Sequence, residues 1–499
     1  MTKWLDKLKR KEPLNESEET LEDLLKTLKK SGDFITYSLG GHPPCTISYI
    51  KTLSKSDYIN DFVIKPLKNA KLHSLKEMEN AITVENIEMT DELSIIKEKI
   101  MIGYALIQSD ADNKQVLLIP ATSFESRQVG TAEVEFSVVG PKEAFVESLH
   151  LNINLVRKRL PLPQLRIEEQ KIGKVTNTRV ATIFIDGIAN PDNVQTVKQR
   201  LQDIEYDQII DSSFITQMLA DNSSSPFPQL LDTERPDRAV STLVEGKIVI
   251  IVDGSPQALI CPTTVVEFFS ASDDYFLPWH LATVFRLIRL FAVLFSVLST
   301  PLYVAILTFH HEMIPRELMA TIVSSRSDIP FPPILEVIIL ELAIELLREA
   351  GARLPTKIGQ TIGIVGGIVI GTAAVDAGLT SNVLLIIVAL SALASFTTPV
   401  YQIGNTIRLI RFPFIIGAQL WGLVGIAMVM IFFMGHLIKL KSIGSPFFEP
   451  LYPLRIQDLK DAFIRLPFNI QFKRPMLTRS PDQSRVNTKR VKEKRDIDE

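Results

Sequence analysis

Hydrophobic and polar positions follow two regimes along this chain. Up to about residue 280, apolar residues come in short runs broken by polar turns; from 285 to 438 they dominate stretches too long for strands. In the first regime, "CTISYIKTLSKSDYINDFVIKPL" (Cys45 to Leu67) alternates and then takes helical spacing, which predicts a strand, a turn and a helix. "VATIFIDGIANPDNVQTVKQRLQDI" (Val180 to Ile204) reads the same way, and the two align without a gap, Tyr49 on Phe184, Ile50 on Ile185 and Asp57 on Asp192. "KIVIIVDGSPQALI" repeats the "IFIDG" ending as "IIVDG", so repeated βα units are expected. "IGYALIQSDADNKQVLLIPA" predicts a hairpin, and "GPKEAFVESLHLNINLVRKRL" a helix entered through Gly-Pro. Together these predict two related α/β subdomains, 33–160 and 161–265, behind a mobile, charged, partly helical lead over 1–32.

The second regime predicts an α-helical polytopic membrane domain over 285–440. Uncharged or nearly uncharged stretches near 288–309, 358–375, 382–401 and 412–438 are long enough to span, the last one tilted. Arg286 and Arg289 precede the uncharged part of the first, Phe291 to Phe309, as on a cytoplasmic side. Between the first and second lies "ILEVIILELAIELLREAG", a helix over 334–350 opened by Pro332 and Pro333. On a helical wheel Glu341, Glu345, Arg348 and Glu349 share an arc of about 100°. Glu336 lies off that face, in the first turn, where a carboxylate suits the helix dipole. Such a helix either lies at an interface or between subunits, or crosses with its polar face on water or protein.

Charge bears on the number of crossings. The tail from Lys439 carries 14 Lys plus Arg against 8 Asp plus Glu, which favours a cytosolic tail over 441–499 that faces anionic lipid. The N-terminal stretch has no apolar core, so no signal peptide is expected and the α/β region is placed in the cytosol. Both ends inside requires an even count: four spans with a non-crossing Glu helix satisfy it, whereas five put Arg408 and Arg411 inside and the tail outside. The four-span reading is preferred.

Chemistry is sparse. Cys45 and Cys261 read as reduced cytosolic thiols. The seven histidines lack zinc spacing, His310-His311 reading as an interfacial pair at a span end, and no dinucleotide, P-loop or nucleophile-elbow pattern occurs. No enzyme activity, cofactor, metal or nucleic-acid partner is expected. The one specific packing signal is in the second span, where Gly359, Gly363, Gly367 and Gly371 recur every four residues, a face on which helix backbones approach closely within one subunit or between copies. Opposite them lie Ile362, Val365, Val369, Thr372 and Asp376; were copies to ring an axis, that side would line a narrow apolar pore that gates by dewetting.

From about Pro226 to Pro453 the chain closely resembles the A subunit of GerA-family spore germinant receptors. The resemblance is carried by "PFPQLLDTERPD", "LVEGKIVIIVDGSPQALICP", "LATVFRLIRLFAVLFSVLSTPLYVAILTFHHEMIPREL", the run from "PFPPILEVIILELAIELLREAG" through "IGQTIGIVGGIVIGTAAVDAGL", and "RFPFIIGAQLWGL". It departs at Thr372, where Gln is expected. The resemblance implies a multi-pass protein of the endospore inner membrane that acts with a transporter-like B subunit and a lipoprotein C subunit. It also implies assembly into an oligomeric, pentameric ion channel that triggers germination when a nutrient is sensed. A carrier with Glu341 or Glu345 as proton site, a non-conducting scaffold, and a germination-amplifying paralogue are the alternatives.

Overall fold

Alternating runs in the first third form a five-stranded sheet from β1 (Phe34–Leu39), β2 (Cys45–Ile50), β3 (Glu88–Thr90), β4 (Tyr104–Ser109) and β5 (Asp112–Pro120). The computed structural model describes residues 20–353, 367 and 371–485, apart from 41–43, 70–73, 110–111, 123–131, 133–134, 136–138, 456–457, 460–461, 468–470 and 472. The strand order is β1-β2-β4-β5-β3, with every pair antiparallel. A second sheet, from β6 (Leu165–Ile172), β7 (Thr178–Ile185), β8 (Leu231–Thr233), β9 (Ile248–Val252) and β10 (Ala258–Cys261), has the order β6-β7-β9-β10-β8, the same topology repeated. The gapless alignment of 45–67 on 180–204 thus marks β2 and β7, each followed by a helix.

Both sheets carry helices on both faces. α1 (Leu21–Lys29), α2 (Leu75–Ala81) and α3 (Leu93–Ile102) cover the first, with the helical stretch 56–69; α4 (Leu149–Arg159), α5 (Pro191–Gln202), α6 (Ser212–Leu219) and α7 (Pro236–Val244) cover the second. Burial on two faces is why "IVIIV" of β9 is apolar throughout instead of alternating. Of the lead, the described part from Thr20 is built into the fold: Leu24, Leu25 and Leu28 of α1 are buried against β5 and α3.

Two elements differ from the expectation. The "IIVDG" ending leads into an antiparallel hairpin with β10, not a helix, and Asp253 accepts a hydrogen bond from the Leu149 amide at the start of α4 (3.1 Å). The helix expected from Gly140-Pro141 starts only at Leu149, because the Asn152 side chain bonds both the amide (2.8 Å) and the carbonyl (2.5 Å) of Val146 and holds that segment extended.

The layers around the two sheets meet on a buried ion pair, because α4, inside the expected bounds 33–160, packs on the second sheet. Arg157 of α4 donates to both oxygens of Asp33 (2.9 and 2.6 Å), while Ser31 and Thr52 donate to the same carboxylate (2.6 and 2.7 Å). Burial alone would raise the Asp33 carboxyl; the Arg157 charge and these hydrogen bonds outweigh it and hold the group below the usual carboxylate range.

Beyond the sheets come α8 (Trp279–Phe309), α9 (Arg316–Arg326), α10 (Pro333–Arg353) and α11 (Asn382–Ser395). The last long helical stretch, Tyr401–Lys439, is broken by non-helical backbone at Trp421 and Gly422, so it forms two helices, α12 over 401–420 and α13 over 423–439. α8 and the 401–439 stretch are each long and apolar enough to cross a membrane. A continuous apolar cluster runs from one face of the second sheet through Phe227, Phe268 and Phe447 into these helices.

Candidate functional site

Positions along the bundle follow from its contacts. α8 leaves the α/β region at Trp279, so Phe309 marks its far end. α12 begins beside that region, where Gln402 donates to Asp232 of β8 and Thr406 donates to the Pro226 carbonyl (2.6 Å). Its far end meets Phe309 and His310, against which a side chain at Gly422 would collide, the nearest atom, His310 Nε2, lying 2.7 Å away. Gly422 has φ +60°, which glycine adopts freely, and His310 Nε2 accepts a hydrogen bond from the Leu423 amide (3.3 Å), capping α13. α13 then returns: Phe433 stacks on Phe414 (ring centroids 5.8 Å apart), and His436 is hydrogen-bonded to Ser225 (2.8 Å). The single tilted element expected over 412–438 is therefore the end of one leg, the turn and the other leg of a tight helical hairpin. Its legs touch backbone to backbone at Gly417 and Gly425.

Several of the bundle's ionisable groups are paired inward. Glu341 of α10 lies 2.6 Å from Arg411 of α12; both are buried, and Arg411 also donates to Ser296 of α8 (2.7 Å). The Ser391 hydroxyl of α11 donates to the Ser296 carbonyl (3.1 Å), so four helices converge at one level. Glu336, the residue off the predicted polar face, is fully buried and accepts from Arg326 of α9 (2.8 Å). Glu345 pairs with Arg348 and stands 3.9 Å from Arg408, whereas Glu349 pairs with Arg353 at the exposed end (2.6 Å). One face of α10 thus carries Glu341, Glu345 and Arg348 onto α12, and its first turn carries Glu336 onto α9. In an apolar bundle a charge without a partner is costly, which is why each has one. Arg326 and Ser296 were not singled out in the sequence, and Arg411 entered only through the count of crossings; a lone arginine in an apolar run was the available signal.

The joint between α/β region and bundle is the segment 225–232. Asp232 is half-buried, with the Glu135 carboxylate nearby and Gln402 as its hydrogen-bond donor. Burial, then Glu135, push it up to about 7. An unfolded Asp titrates near 3.9, so from about pH 4 to about pH 7 the folded chain keeps a proton that the unfolded chain has lost, and stability falls as pH rises through that window. Asp232→Asn keeps an acceptor for Gln402 and cannot ionise. Its melting temperature is expected to exceed that of the wild type by a margin that widens by about 2–4 °C from pH 5 to pH 8, as differential scanning fluorimetry would read.

The second predicted span falls mostly outside the described residues: Gly359, Gly363, Ile362, Val365 and Val369 all do. Of its remainder, Gly367 faces open space, Gly371 is buried within contact distance of Leu385 on α11, and Thr372 and Asp376 are exposed. Cys45 and Cys261 are buried and form no disulfide with each other, and burial pushes the Cys261 thiol up to about 12. The described part of the tail is built into the fold. It folds on the second subdomain, where Phe447 packs on Phe268, Arg485 pairs with Glu245 (2.5 Å), Arg474 donates to the Val244 carbonyl (2.9 Å) and Ser480 to that of Ile188 (2.6 Å). Among the described residues no group of His, Cys, Asp and Glu could hold a metal ion.

The family described as Bacillus/Clostridium GerA spore germination protein matches residues 22–477 of this chain. The chain belongs to the GerA spore germination family. Spore germination protein GerQA of Bacillus cereus is 50% identical over 473 residues, covering 95% of both chains. GerIA of Bacillus cereus is 44% identical over 90% of this chain and 68% of its own, and spore germination protein KA of Bacillus subtilis (strain 168) 37% identical over 89% and 82%. The crystal structure of the N-terminal domain of the A subunit of the Bacillus megaterium spore germinant receptor GerK3 is 29% identical, covering 50% of this chain and 98% of that one, with a TM-score of 0.38. GerA-family membership gives the bundle and the joint at 225–232 their context: an A-subunit germination protein in which an α/β region is bonded directly to apolar helices.

Proposed function

We propose that this chain is the A subunit of a nutrient germinant receptor in the spore inner membrane, assembling with copies of itself, pentamerically, and with a transporter-like B subunit and a lipoprotein C subunit into a nutrient-gated ion channel. The observation that carries the reading is a family match over nearly the whole chain joined to a bundle in which Glu336, Glu341 and Arg411 are buried and paired, while Phe291, Leu294, Ile431 and Phe432 face outward. The carrier reading needs a carboxylate free to exchange a proton; Glu341 is engaged by Arg411.

The helices support six crossings instead of four. α8 runs away from the α/β region, and α10 comes back, from Glu336 near the far end to Glu345 at the level of Arg408. The chain next appears at the far end, where Gly378 approaches the Asp328 carbonyl and Ser381 is bonded to Tyr303 (3.1 Å), and returns along α11 to Gln402. α12 and α13 add one crossing each. An even number puts the tail on the side of the α/β region, which we take to be the cytosol. The segment 358–375 is the pore helix in this proposal, with Gly359, Gly363, Gly367 and Gly371 for packing and Ile362, Val365, Val369, Thr372 and Asp376 on the pore. Ion flux into liposomes bearing the purified chain tests it. Val369→Ser is expected to raise basal flux and to make spores leak ions without nutrient. Full-length, oligomeric protein that passes no ions, with Val369→Ser likewise silent, would leave a scaffold as the role.

A further inference from the structure

A cavity of about 760 Å³ lies where the α/β region, the start of α8 and the tail meet. Cavities of roughly 300–1,000 Å³ take small organic molecules. One wall is α7, with Arg238 and Ser241; a second is the segment from Ser270 to Phe276 that leads into α8; the third is the tail between Glu449 and Arg485. The cavity also reaches the joint with α12, because Arg238 pairs with Glu135 (2.5 Å), the carboxylate beside Asp232, whose donor is Gln402. Val266, Phe276 and Leu477 give it apolar surface.

The polar groups on the walls favour one charge. Each basic side chain there is already held by a carboxylate: Arg238 by Glu135, Lys247 by Glu267, Arg474 by Asp482 (2.9 Å) and Arg485 by Glu245 (2.5 Å). An anion entering the cavity has to break one of these pairs. Glu449 is the reverse case. It is 2% exposed, and Arg455 stands 2.9 Å from one of its oxygens, yet among the described residues neither oxygen receives a hydrogen bond. Burial raises its carboxyl above the usual range, more than Arg455 offsets. A buried carboxylate short of donors is costly, and a cationic donor is the strongest partner it can gain.

We propose that this cavity is a binding site for a small organic amine, with the ammonium on Glu449 and the apolar body against Val266, Phe276 and Leu477. The site stands whether or not the bundle conducts ions.

The test uses the full-length chain in nanodiscs, carrying Ser241→Cys on the exposed rim of α7, with Val175→Cys, exposed and outside the cavity, as control; Cys45 and Cys261 are buried. The rate of maleimide labelling is read against tyramine, and against tyrosol and 4-hydroxyphenylacetate, which keep the ring and replace the ammonium by a neutral and an anionic group. Tyramine is expected to slow labelling at position 241 and not at 175, at concentrations about tenfold below those at which tyrosol does so, as one charged hydrogen bond warrants; 4-hydroxyphenylacetate is expected to give no protection. Glu449→Gln should bring tyramine to the level of tyrosol. If that variant fails to fold, Ser272→Trp, which fills the cavity from a half-buried wall position, should abolish protection by all three probes. No protection by tyramine, equal protection by the three probes, or protection unchanged by Glu449→Gln or by Ser272→Trp would overturn the proposal. Protection strongest with 4-hydroxyphenylacetate would overturn it in favour of an anion. Ion flux is not read, so none of these results bears on the channel.

Discussion

Arg411→Leu is expected to remove most folded protein from the membrane fraction, and adding Glu341→Leu to the same chain to restore it. The two groups are 2.6 Å apart and buried, among Ser296, Thr300 and apolar neighbours. Removing one partner strands the other charge in a low-dielectric bundle, a cost of about 3–5 kcal/mol, against a total folding stability of about 5–15 kcal/mol. Removing both exchanges a dry ion pair for leucine packing, which is often neutral or stabilising. Extracted, monodisperse protein measured by size-exclusion chromatography would report the difference. Equal loss in the single and double variants would mean that packing around Arg411, not its charge, holds α10 to α12. Germination in the restored double variant would then separate a structural role for the pair from a signalling one.

A cysteine replacing Trp421 should react with an impermeant maleimide from the face of the membrane opposite the tail, while one replacing Ser484 should react only after permeabilisation. Trp421 is exposed and sits at the turn of the hairpin. Labelling at position 421 only from the tail side would mean that α12 and α13 do not both cross. Gly425→Leu should abolish the hairpin. A Cβ at Gly425 runs into the Gly417 carbonyl, and one at Gly417 lies 2.9 Å from Val429 Cγ2 and 3.0 Å from the Gly425 carbonyl. Backbone cannot yield as a flexible side chain does, so the expected cost is about 3 kcal/mol or more, with loss of extractable protein. Normal yield with the position-421 labelling unchanged would show that the legs can part at this level.

These two features were the least legible in the sequence, for different physical reasons. Glu341 and Arg411 are 70 residues apart, and nothing local links them; composition records only that each is a charge in an apolar run. The turn at 421–422 escaped because a turn normally announces itself through polar residues. This one is built from Gly422 and closed by His310, more than a hundred residues upstream, so the run from Phe412 to Leu440 looks like one long span. The α/β region was far more legible. Its strands alternate or are wholly apolar, the polar turn after Ser109 marks the β4–β5 hairpin, and the 45–67 and 180–204 segments betray the duplication by direct alignment. The start of α4 was misplaced because the side chain of Asn152, not a propensity, keeps 141–148 extended. On α10 the predicted face was half informative: Glu341 and Glu345 do point at a neighbouring helix, while Glu336, set aside as a first-turn residue, is the most buried of the three.

The docking of residues 441–485 has a consequence for how the molecule is made. Ile443 lies in the core of the second subdomain with Val180, Ile250 and Leu259, and the Val265 amide is bonded to the Phe447 carbonyl (2.9 Å). A ribosome that has finished β10 has therefore emitted both sheets but not the residues that complete their packing, which emerge only after every membrane helix. The nascent α/β region must wait, with part of its apolar surface uncovered, until α13 has been inserted and brings Leu440 back alongside it. On the proposed topology, a chain delivers Ile443 and Phe447 to their sites only when its helices have threaded in the right order, so closure of this α/β core would double as proofreading of membrane insertion.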